Sequence, residues 1–254
     1  MESKILKFKN EGYYLYKNVF SKKECNDLKC YLESLNSKID IPFTSIPWGW
    51  GNLIKSDPFK LIVQNSQLNN FCERVLGESY RYLTLMVNNK APWVGPSVEW
   101  HQESINMKTY ASGCDQENDW QKFLQIYIAL DHQTTDNGCL RVFPGSHKFG
   151  LLDHYDIVGS NLGHKRHVAV ESLEFLNKKC NVLNVEMKSG DALIFNHRLV
   201  HGSSSNHSSK NRRSIVLRAT NVSEDKINNS EKFLKETEFR RNFVINTFEK
   251  SKRK

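Results

Sequence analysis

Two histidines and one acidic residue have the clearest capacity for chemistry in this sequence. His101 and Glu103 stand two residues apart in the segment Trp-His-Gln-Glu, and His201 follows much later. Side chains two apart on a β-strand point to the same face, so His101 and Glu103 can bind one ion together. Two histidines and one carboxylate occupy one face of an octahedral metal and leave three positions open, as in non-haem Fe(II) oxygenases. The sequence therefore predicts a catalytic metal site at His101, Glu103 and His201.

An arginine and a serine follow His201 in the sequence. The stretch from 193 to 218 has the pattern strand, turn, strand, with His201 ending the first strand and Arg212 and Ser214 opening the second. A 2-oxo acid uses two open metal positions and dioxygen the third, so its distal carboxylate needs a cation. Arginine binds a carboxylate through paired, charge-assisted hydrogen bonds. We therefore predict that Arg212 and Ser214 bind the 2-oxo acid, or Arg213 if the register shifts by one.

A second histidine-x-acid pattern occurs at His154 and Asp156. With nine histidines in the chain, one such match is expected by chance. A jelly roll needs several strands between its two metal-binding strands, and the segment 156–201 offers fewer candidates than 103–201. We interpret His154 as a surface histidine in a loop.

The elements that must position these residues change character near residue 80. Alternating patterns predict strands at 80–88, 97–103, 122–131, 138–143, 166–171, 181–187, 191–196 and 212–221. Before them, we expect a short strand within 5–20, a helix over 22–35, a loop over 40–57 and helices at 58–64 and 66–76. A charged helix is expected near 230–249.

Helices followed by many strands predict the α+β class with a jelly-roll core. We expect a single domain over 1–254. Its parts are a helical N-terminal support and lid (1–78), the jelly-roll core (79–222), and a C-terminal helix with a basic tail (223–254).

Composition narrows the function class. The sequence has no apolar run long enough to span a bilayer, no apolar signal core at its start, and six cysteines without a Cys-x-x-Cys pair. We expect a cytoplasmic protein, monomeric or homodimeric, with no membrane partner. The net charge of +8 is not accompanied by a nucleic-acid-binding motif. Basic residues at 164–167 and Arg218 instead suit a small-molecule substrate with an anionic group.

Further motifs carry a family resemblance over most of the chain. They are Phe-x-x-x-Gly-Tyr from Phe8, Asn89-Lys90-x-Pro92, Trp100-His101-Gln102-Glu103, Asn137-Gly138-Cys139-Leu140, Pro144-Gly145-Ser146-His147-Lys148, Gly190-Asp191-Ala192, and His201-Gly202-Ser203 through Arg212. With these motifs the chain resembles the phytanoyl-CoA dioxygenase family of Fe(II)/2-oxoglutarate oxygenases. The resemblance implies a double-stranded β-helix of the cupin-like, jelly-roll type, with Fe(II), 2-oxoglutarate and dioxygen.

The resemblance also implies roles for single positions. His101, Glu103 and His201 match the iron ligands, and Arg212 matches the arginine that holds the 2-oxoglutarate 5-carboxylate. The positions that match further cofactor contacts are Tyr127, Met86, Gln102 and Ser203. The acid is Glu103 where the family usually has Asp, and a longer arm can still reach iron. An acid at this position argues against a halogenase, which needs the place vacant for halide.

We therefore expect hydroxylation of an unactivated C–H bond in a small metabolite, with release of succinate and carbon dioxide. The same iron site could instead serve desaturation, ring closure or epimerisation, and the sequence does not separate these outcomes. The alternative outside enzymes is a jelly-roll binding module that has lost turnover, and the intact ligand set counts against it.

Overall fold

Alternating apolar residues build two antiparallel β-sheets that face each other. The computed structural model describes residues 1–36, 43–49, 59–103, 122–156 and 166–222. Its helices are α1 (Glu2–Glu11), α2 (Lys22–Asn36), α3 (Lys60–Val63), α4 (Ser66–Leu76) and α5 (Val170–Lys179). Its strands are β1 (Tyr13–Tyr16), β2 (Phe43–Gly49), β3 (Arg81–Lys90), β4 (Val98–His101), β5 (Phe123–Ala129), β6 (Leu140–Val142), β7 (His154–Asp156), β8 (Arg166–Val168), β9 (Leu183–Val185), β10 (Ala192–Asn196), β11 (His201–Ser203) and β12 (Arg212–Thr220).

The larger sheet has six strands in the order β1-β10-β5-β12-β3-β2, and the smaller has four in the order β4-β11-β6-β9. A separate two-stranded ribbon pairs β7 with β8. The strands of the larger sheet pair antiparallel throughout, and so do those of the smaller. The chain therefore crosses between the two sheets repeatedly, and consecutive strands often lie in different sheets.

Strand β12 shows how the two faces of the larger sheet divide. Ile215 and Leu217 belong to the main apolar core, which also contains residues of α2 and α4. Val216 instead joins a second apolar cluster with Tyr127 of β5 and Leu140 of the smaller sheet. Because strand side chains alternate, Arg212, Ser214 and Arg218 share the Val216 face. These polar residues therefore point into the space between the sheets, which we call the interior.

Each of the eight strands predicted from alternation between 80 and 221 has a counterpart near its predicted position, whereas β7 and β11 were not predicted. The short strand expected within 5–20 is present at 13–16, but it follows an unpredicted helix over 2–11 that ends at Gly12 in the left-handed conformation. Two other expectations are wrong. Residues 43–49 of the expected loop form edge strand β2, while 50–58 lie outside the described residues. Residues 170–179 form a helix where the sequence indicated the end of a strand.

His201 does not end the strand before the turn, although the strand-turn-strand pattern predicted that it would. Strand β10 ends at Asn196, and His201 begins β11 in the other sheet. The turn 197–200 therefore carries the chain from one sheet to the other, which brings His201 beside β4. The expected C-terminal helix at 230–249 lies outside the described residues. Within the described part of the chain, no helix is long and apolar enough to cross a bilayer.

Candidate metal centre

His101 and His201 face each other across neighbouring strands of the smaller sheet. They are paired in the register of β4 and β11, with ring centroids 4.1 Å apart. The Nδ1 atom of His101 lies 2.7 Å from the carbonyl oxygen of Glu99, and that of His201 lies 2.9 Å from the carbonyl oxygen of Leu199. A carbonyl oxygen only accepts, so each Nδ1 carries a proton, and Nε2 is the ring nitrogen left to bind a metal. The backbone thus orients both rings in a way that suits metal binding through Nε2.

Glu103 completes the group. Its Oε1 lies 3.6 Å from Nε2 of His101 and 3.8 Å from Nε2 of His201. All three residues are buried, and their ligand atoms lie within 4.8 Å of one another. We searched for groups of three or more histidine, cysteine, aspartate or glutamate side chains that could hold a metal ion. Among the described residues, His101, Glu103 and His201 form the only such group.

The surroundings of His201 favour its neutral imidazole. Burial, and then the neighbouring His101, lower the pKa of His201 to about 3, while Glu103 raises it by less. A lowered pKa means that the His201 ring is neutral at physiological pH, which is the state that binds a metal. Phe195 packs its ring edge against His201 with 4.8 Å between centroids.

Arg218 contacts the centre from the larger sheet. Its Nη2 donates to Oε2 of Glu103 at 2.7 Å, and the two side chains are about one-tenth exposed. The amide oxygen of Gln125, in the orientation that satisfies its surroundings, accepts from Arg218 Nε at 2.8 Å. The sequence suggested Arg218 for an anionic substrate, and the structure gives it a carboxylate within the protein. Its even spacing from Arg212 and Ser214 along one strand could have predicted that it faces the interior.

The other end of the same strand carries the predicted 2-oxo acid contacts. Arg212 is buried, with its guanidinium carbon 5.4 Å from the centre of the Tyr127 ring, and Ser214 is fully buried. The Tyr127 hydroxyl donates to Gln133 at 3.0 Å, and burial raises its pKa. Ser203 accepts a hydrogen bond of 2.7 Å from Lys90, which belongs to the Asn-Lys-x-Pro motif and had no predicted role.

Arg213 points the other way. Its Nε and Nη2 donate to Asp131 at 2.8 and 3.0 Å, and Nη1 contacts Glu33 of helix α2. Arg213 therefore ties a helix to the outer face of the sheet, whereas Arg212 faces the interior. The alternative register, in which Arg213 would face the interior, does not occur.

Two further predicted contacts have different surroundings. Met86 is half-buried and packs against the interior apolar cluster, in register with Val216. The Gln102 amide group donates to the carbonyl oxygens of Gly150 and Arg198 and accepts from the Leu152 amide. These backbone contacts occupy both ends of the Gln102 amide. Gln102 therefore holds two loops together on the side of the strand away from His101.

The second histidine-x-acid pattern lies apart from the metal group. His154 and Asp156 belong to the ribbon strand β7. The Nδ1 atom of His154 is hydrogen-bonded to the carbonyl oxygen of Leu152 at 2.7 Å. Of the basic residues at 164–167, the first two lie outside the described residues, and the His167 ring packs against Tyr155.

The sequence matches a known family and several curated proteins. The family model for phytanoyl-CoA dioxygenase (PhyH) matches residues 8–214. A phytanoyl-CoA dioxygenase of Arabidopsis thaliana is 30% identical over 128 residues, which are 50% of this chain and 40% of that protein. A probable alpha-ketoglutarate-dependent hypophosphite dioxygenase of Stutzerimonas stutzeri is 28% identical over 163 residues, 63% of this chain and 52% of that protein. The chain thus spans about half the length of the curated relatives it matches.

A solved structure supports the fold. The epimerase SnoN, in complex with Fe3+, alpha ketoglutarate and nogalamycin RO, superposes with a TM-score of 0.64 at 17% identity, covering 86% of this chain and 82% of that one. The family match covers most of the chain, including His101, Glu103 and His201, which lie together in one buried group. The chain belongs to the phytanoyl-CoA dioxygenase (PhyH) family.

Proposed function

We propose that this protein is a non-haem Fe(II)- and 2-oxoglutarate-dependent dioxygenase that hydroxylates a small metabolite. The observation that carries the proposal is the buried group of two oriented imidazoles and one carboxylate, with ligand atoms within 4.8 Å of one another. The relatives named for dioxygenase activity and for alpha-ketoglutarate support it.

The donor set fits iron. Donors about 2.1 Å from one ion and at right angles to each other lie about 3 Å apart. The Nε2 to Oε1 distances of 3.6 and 3.8 Å therefore need to close by less than 1 Å. Two neutral nitrogens and one carboxylate suit Fe(II) and leave three positions for other ligands.

Bound iron with 2-oxoglutarate and dioxygen would supply an oxidant for an unactivated C–H bond, with succinate and carbon dioxide as co-products. The protein's own residues hold and shield this chemistry. His101, His201 and Glu103 bind the ion, and Arg218 fixes the carboxylate. Arg212 pairs with the 5-carboxylate of 2-oxoglutarate, with Ser214, Tyr127 and Ser203 around it. The apolar side chains of the interior keep water away from the reacting atoms.

The fold that supports this function is, in our proposal, a double-stranded β-helix. The two facing antiparallel sheets and the shared apolar cluster between them support that description. We also propose a cytoplasmic location and a division into a helical N-terminal support and lid (1–78), a jelly-roll core (79–222) and a C-terminal helix with a basic tail (223–254). Strands β1 and β2, which form both edges of the larger sheet, come from the N-terminal part.

One observation favours an alternative outcome at the same site. The structural neighbour SnoN is an epimerase that was crystallised with iron and alpha ketoglutarate. Hydrogen abstraction is common to hydroxylation, desaturation, ring closure and epimerisation, so the ligand set alone suits each of them. Product analysis by mass spectrometry separates these outcomes, because hydroxylation adds one oxygen atom, desaturation and ring closure remove two hydrogens, and epimerisation leaves the mass unchanged.

The proposal is tested by anaerobic titration of the metal-free protein with Fe(II) and 2-oxoglutarate, while the weak visible charge-transfer band of the chelate is recorded. We expect the band in wild type, its loss in His101→Ala and its weakening in Arg212→Ala. His154→Ala removes the histidine of the other histidine-x-acid pattern and should leave the band unchanged. Iron binding without any band would refute 2-oxoglutarate chelation and favour a binding module. A band would lead to substrate screening by succinate release.

A further inference from the structure

Arg218 uses only part of its hydrogen-bonding capacity within the protein. The guanidinium edge formed by Nε and Nη2 faces the amide oxygen of Gln125, at 2.8 and 3.3 Å. The remaining N–H of Nη2 donates to Oε2 of Glu103 at 2.7 Å. The third nitrogen, Nη1, makes no hydrogen bond to a described residue and is not fully buried. Its donors are therefore available to a ligand.

The planar guanidinium fixes the direction in which Nη1 donates. Nη1 lies on the same edge of the group as the Nη2 N–H that holds Glu103, so one N–H of Nη1 runs parallel to that hydrogen bond. An acceptor bound there lies beside the Glu103 carboxylate, whose other oxygen faces His101 and His201. A group held by Nη1 is therefore next to the candidate metal position.

Neighbouring strands hold Arg218 in a largely dry place. Arg218 is paired with Gln125 in the register of β12 and β5, and Gln125 with Phe195 in the register of β5 and β10. The Arg218 and Glu103 side chains are 10% and 9% exposed, and Gln125 is fully buried. Because a charge-assisted hydrogen bond is stronger where water is scarce, a ligand on Nη1 gains more here than at the surface.

Charge balance favours an anion over a neutral acceptor at Nη1. Within the described ranges, Glu103 is the one carboxylate that pairs with Arg218. In the proposed complex, the two charges of Fe(II) are balanced by Glu103 and by the 1-carboxylate of 2-oxoglutarate, and Arg212 by the 5-carboxylate. Arg218 is then left as a buried cation without an anion of its own, which costs free energy.

The interior beside Arg218 is apolar. Val216 precedes Arg218 by two residues and shares its face of the sheet. Phe195 packs against His201, and both Val216 and Phe195 belong to the apolar cluster of the interior. Such walls suit the hydrocarbon part of a ligand, while a single polar group fixes its orientation.

We propose that Nη1 of Arg218 binds a carboxylate or another oxyanion of the primary substrate, so that the site selects small molecules that join one anionic group to an apolar carbon chain. This inference rests on the proposed function, which it deepens by naming the substrate class and the residue that selects it. Arg218 then has two tasks, since Nη2 orients Glu103 and Nη1 positions the substrate beside the metal.

A matched acid and amide test the proposal. The full chain, loaded with Zn(II) as a redox-inactive substitute for iron and with saturating 2-oxoglutarate to occupy Arg212, is titrated with pentanoate and with pentanamide, which has the same shape without the charge. Ligand-observed NMR measures both Kd values. For wild type we expect a pentanoate Kd at least about tenfold lower than the pentanamide Kd. Arg218→Met, at saturating Zn(II), should abolish this preference by weakening pentanoate binding and leave the pentanamide Kd unchanged.

Two further variants separate the tasks of Arg218 from general effects of charge. Arg218→Lys keeps a cation beside Glu103 but lacks the planar edge, so it should lose most of the preference for pentanoate while retaining part of the metal affinity. Arg141→Met is the matched control, because it removes an arginine that stacks on Trp100 outside the interior. The preference for pentanoate should persist in that variant.

Equal Kd values for the two probes in wild type, or no measurable binding of pentanoate, would overturn the inference. An equal loss of affinity for both probes in Arg218→Met would show that Arg218 acts only through the structure of the site, and would overturn it as well. The visible band of the Fe(II) and 2-oxoglutarate chelate tests the proposed function separately. If that band were absent and the preference for pentanoate still depended on Arg218, the proposed function would fail and the anion site would stand.

Discussion

Arg218 donates a hydrogen bond of 2.7 Å to Oε2 of Glu103, while Oε1 of the same carboxylate faces the two histidines. The two oxygens of one side chain thus have separate partners, one in the protein and one in the candidate metal position. Glutamate has one more rotatable bond than the aspartate that is usual in the family. An arginine that holds one oxygen offsets this extra freedom, because it limits the positions that the other oxygen can take.

This relationship predicts that Arg218→Met weakens metal binding. Partners that orient a metal ligand are worth roughly 10–100-fold in metal affinity, and we expect a loss of that size for Fe(II) or Co(II). Arg218→Lys keeps the charge and should recover part of it. Arg141→Met is the control, because Arg141 stacks on Trp100. Anaerobic metal titration measures the effect, and metal affinity of Arg218→Met equal to wild type would show that Glu103 needs no such support.

Substitution of Arg212 should weaken cosubstrate binding, whereas substitution of its neighbour Arg213 should lower the stability of the fold. Arg212→Met is expected to raise the Kd of 2-oxoglutarate by about 100-fold, since a charge-assisted pair is worth roughly 1.5–3 kcal/mol, and to leave metal affinity near wild type. Anaerobic titration with 2-oxoglutarate measures this Kd. A 2-oxoglutarate Kd that changed in Arg213→Met and not in Arg212→Met would contradict the assignment.

Arg213→Met should instead destabilise the fold. It removes two hydrogen bonds to Asp131 and the contact with Glu33 that ties helix α2 to the sheet. Because the Arg213 and Asp131 side chains are only 19% and 14% exposed, we expect the free energy of unfolding to fall by about 2 kcal/mol. Denaturant titration monitored by circular dichroism tests this, with Lys23→Met, which breaks an exposed pair, as a control expected to stay within about 0.5 kcal/mol of wild type.

Gly190 should tolerate no side chain. Its φ is +91°, and a Cβ there would meet the carbonyl oxygen of Phe20 at 2.0 Å. Gly190→Ala therefore adds a clash with backbone to the cost of a left-handed residue, and we expect a loss of more than about 2 kcal/mol in the free energy of unfolding. At Gly145, also left-handed, the nearest atom would be 3.7 Å away, so Gly145→Ala should cost about 1 kcal/mol. Thermal or denaturant unfolding measures both variants. If Gly190→Ala and Gly145→Ala lowered the free energy of unfolding equally, the contact with Phe20 would not explain the cost at Gly190.

The turn after β10 shows where local patterns stop being informative. The alternation of 191–196 predicted a strand, and a strand is present, because a half-buried strand needs apolar residues at period two. The alternation of apolar residues does not indicate that the chain passes into the other sheet at His201. It depends on the pairing of β11 with β4 and β6, which lie far away in sequence. The edge strand β2 was missed for a related reason, since its pairing with β3 compensates for a sequence rich in turn-forming residues.

By itself, the sequence determined the β-rich core, the family motifs, and the residue types of the metal group, because these depend on local spacing and on side-chain chemistry. Only the tertiary structure decided which face each residue occupies. It turned Arg212 into the interior and Arg213 towards Asp131, engaged Gln102 with backbone groups, and placed Arg218 on Glu103 and Lys90 beside Arg212. The physical reason is that a strand's register is set by long-range pairing, and a shift of one residue exchanges its two faces.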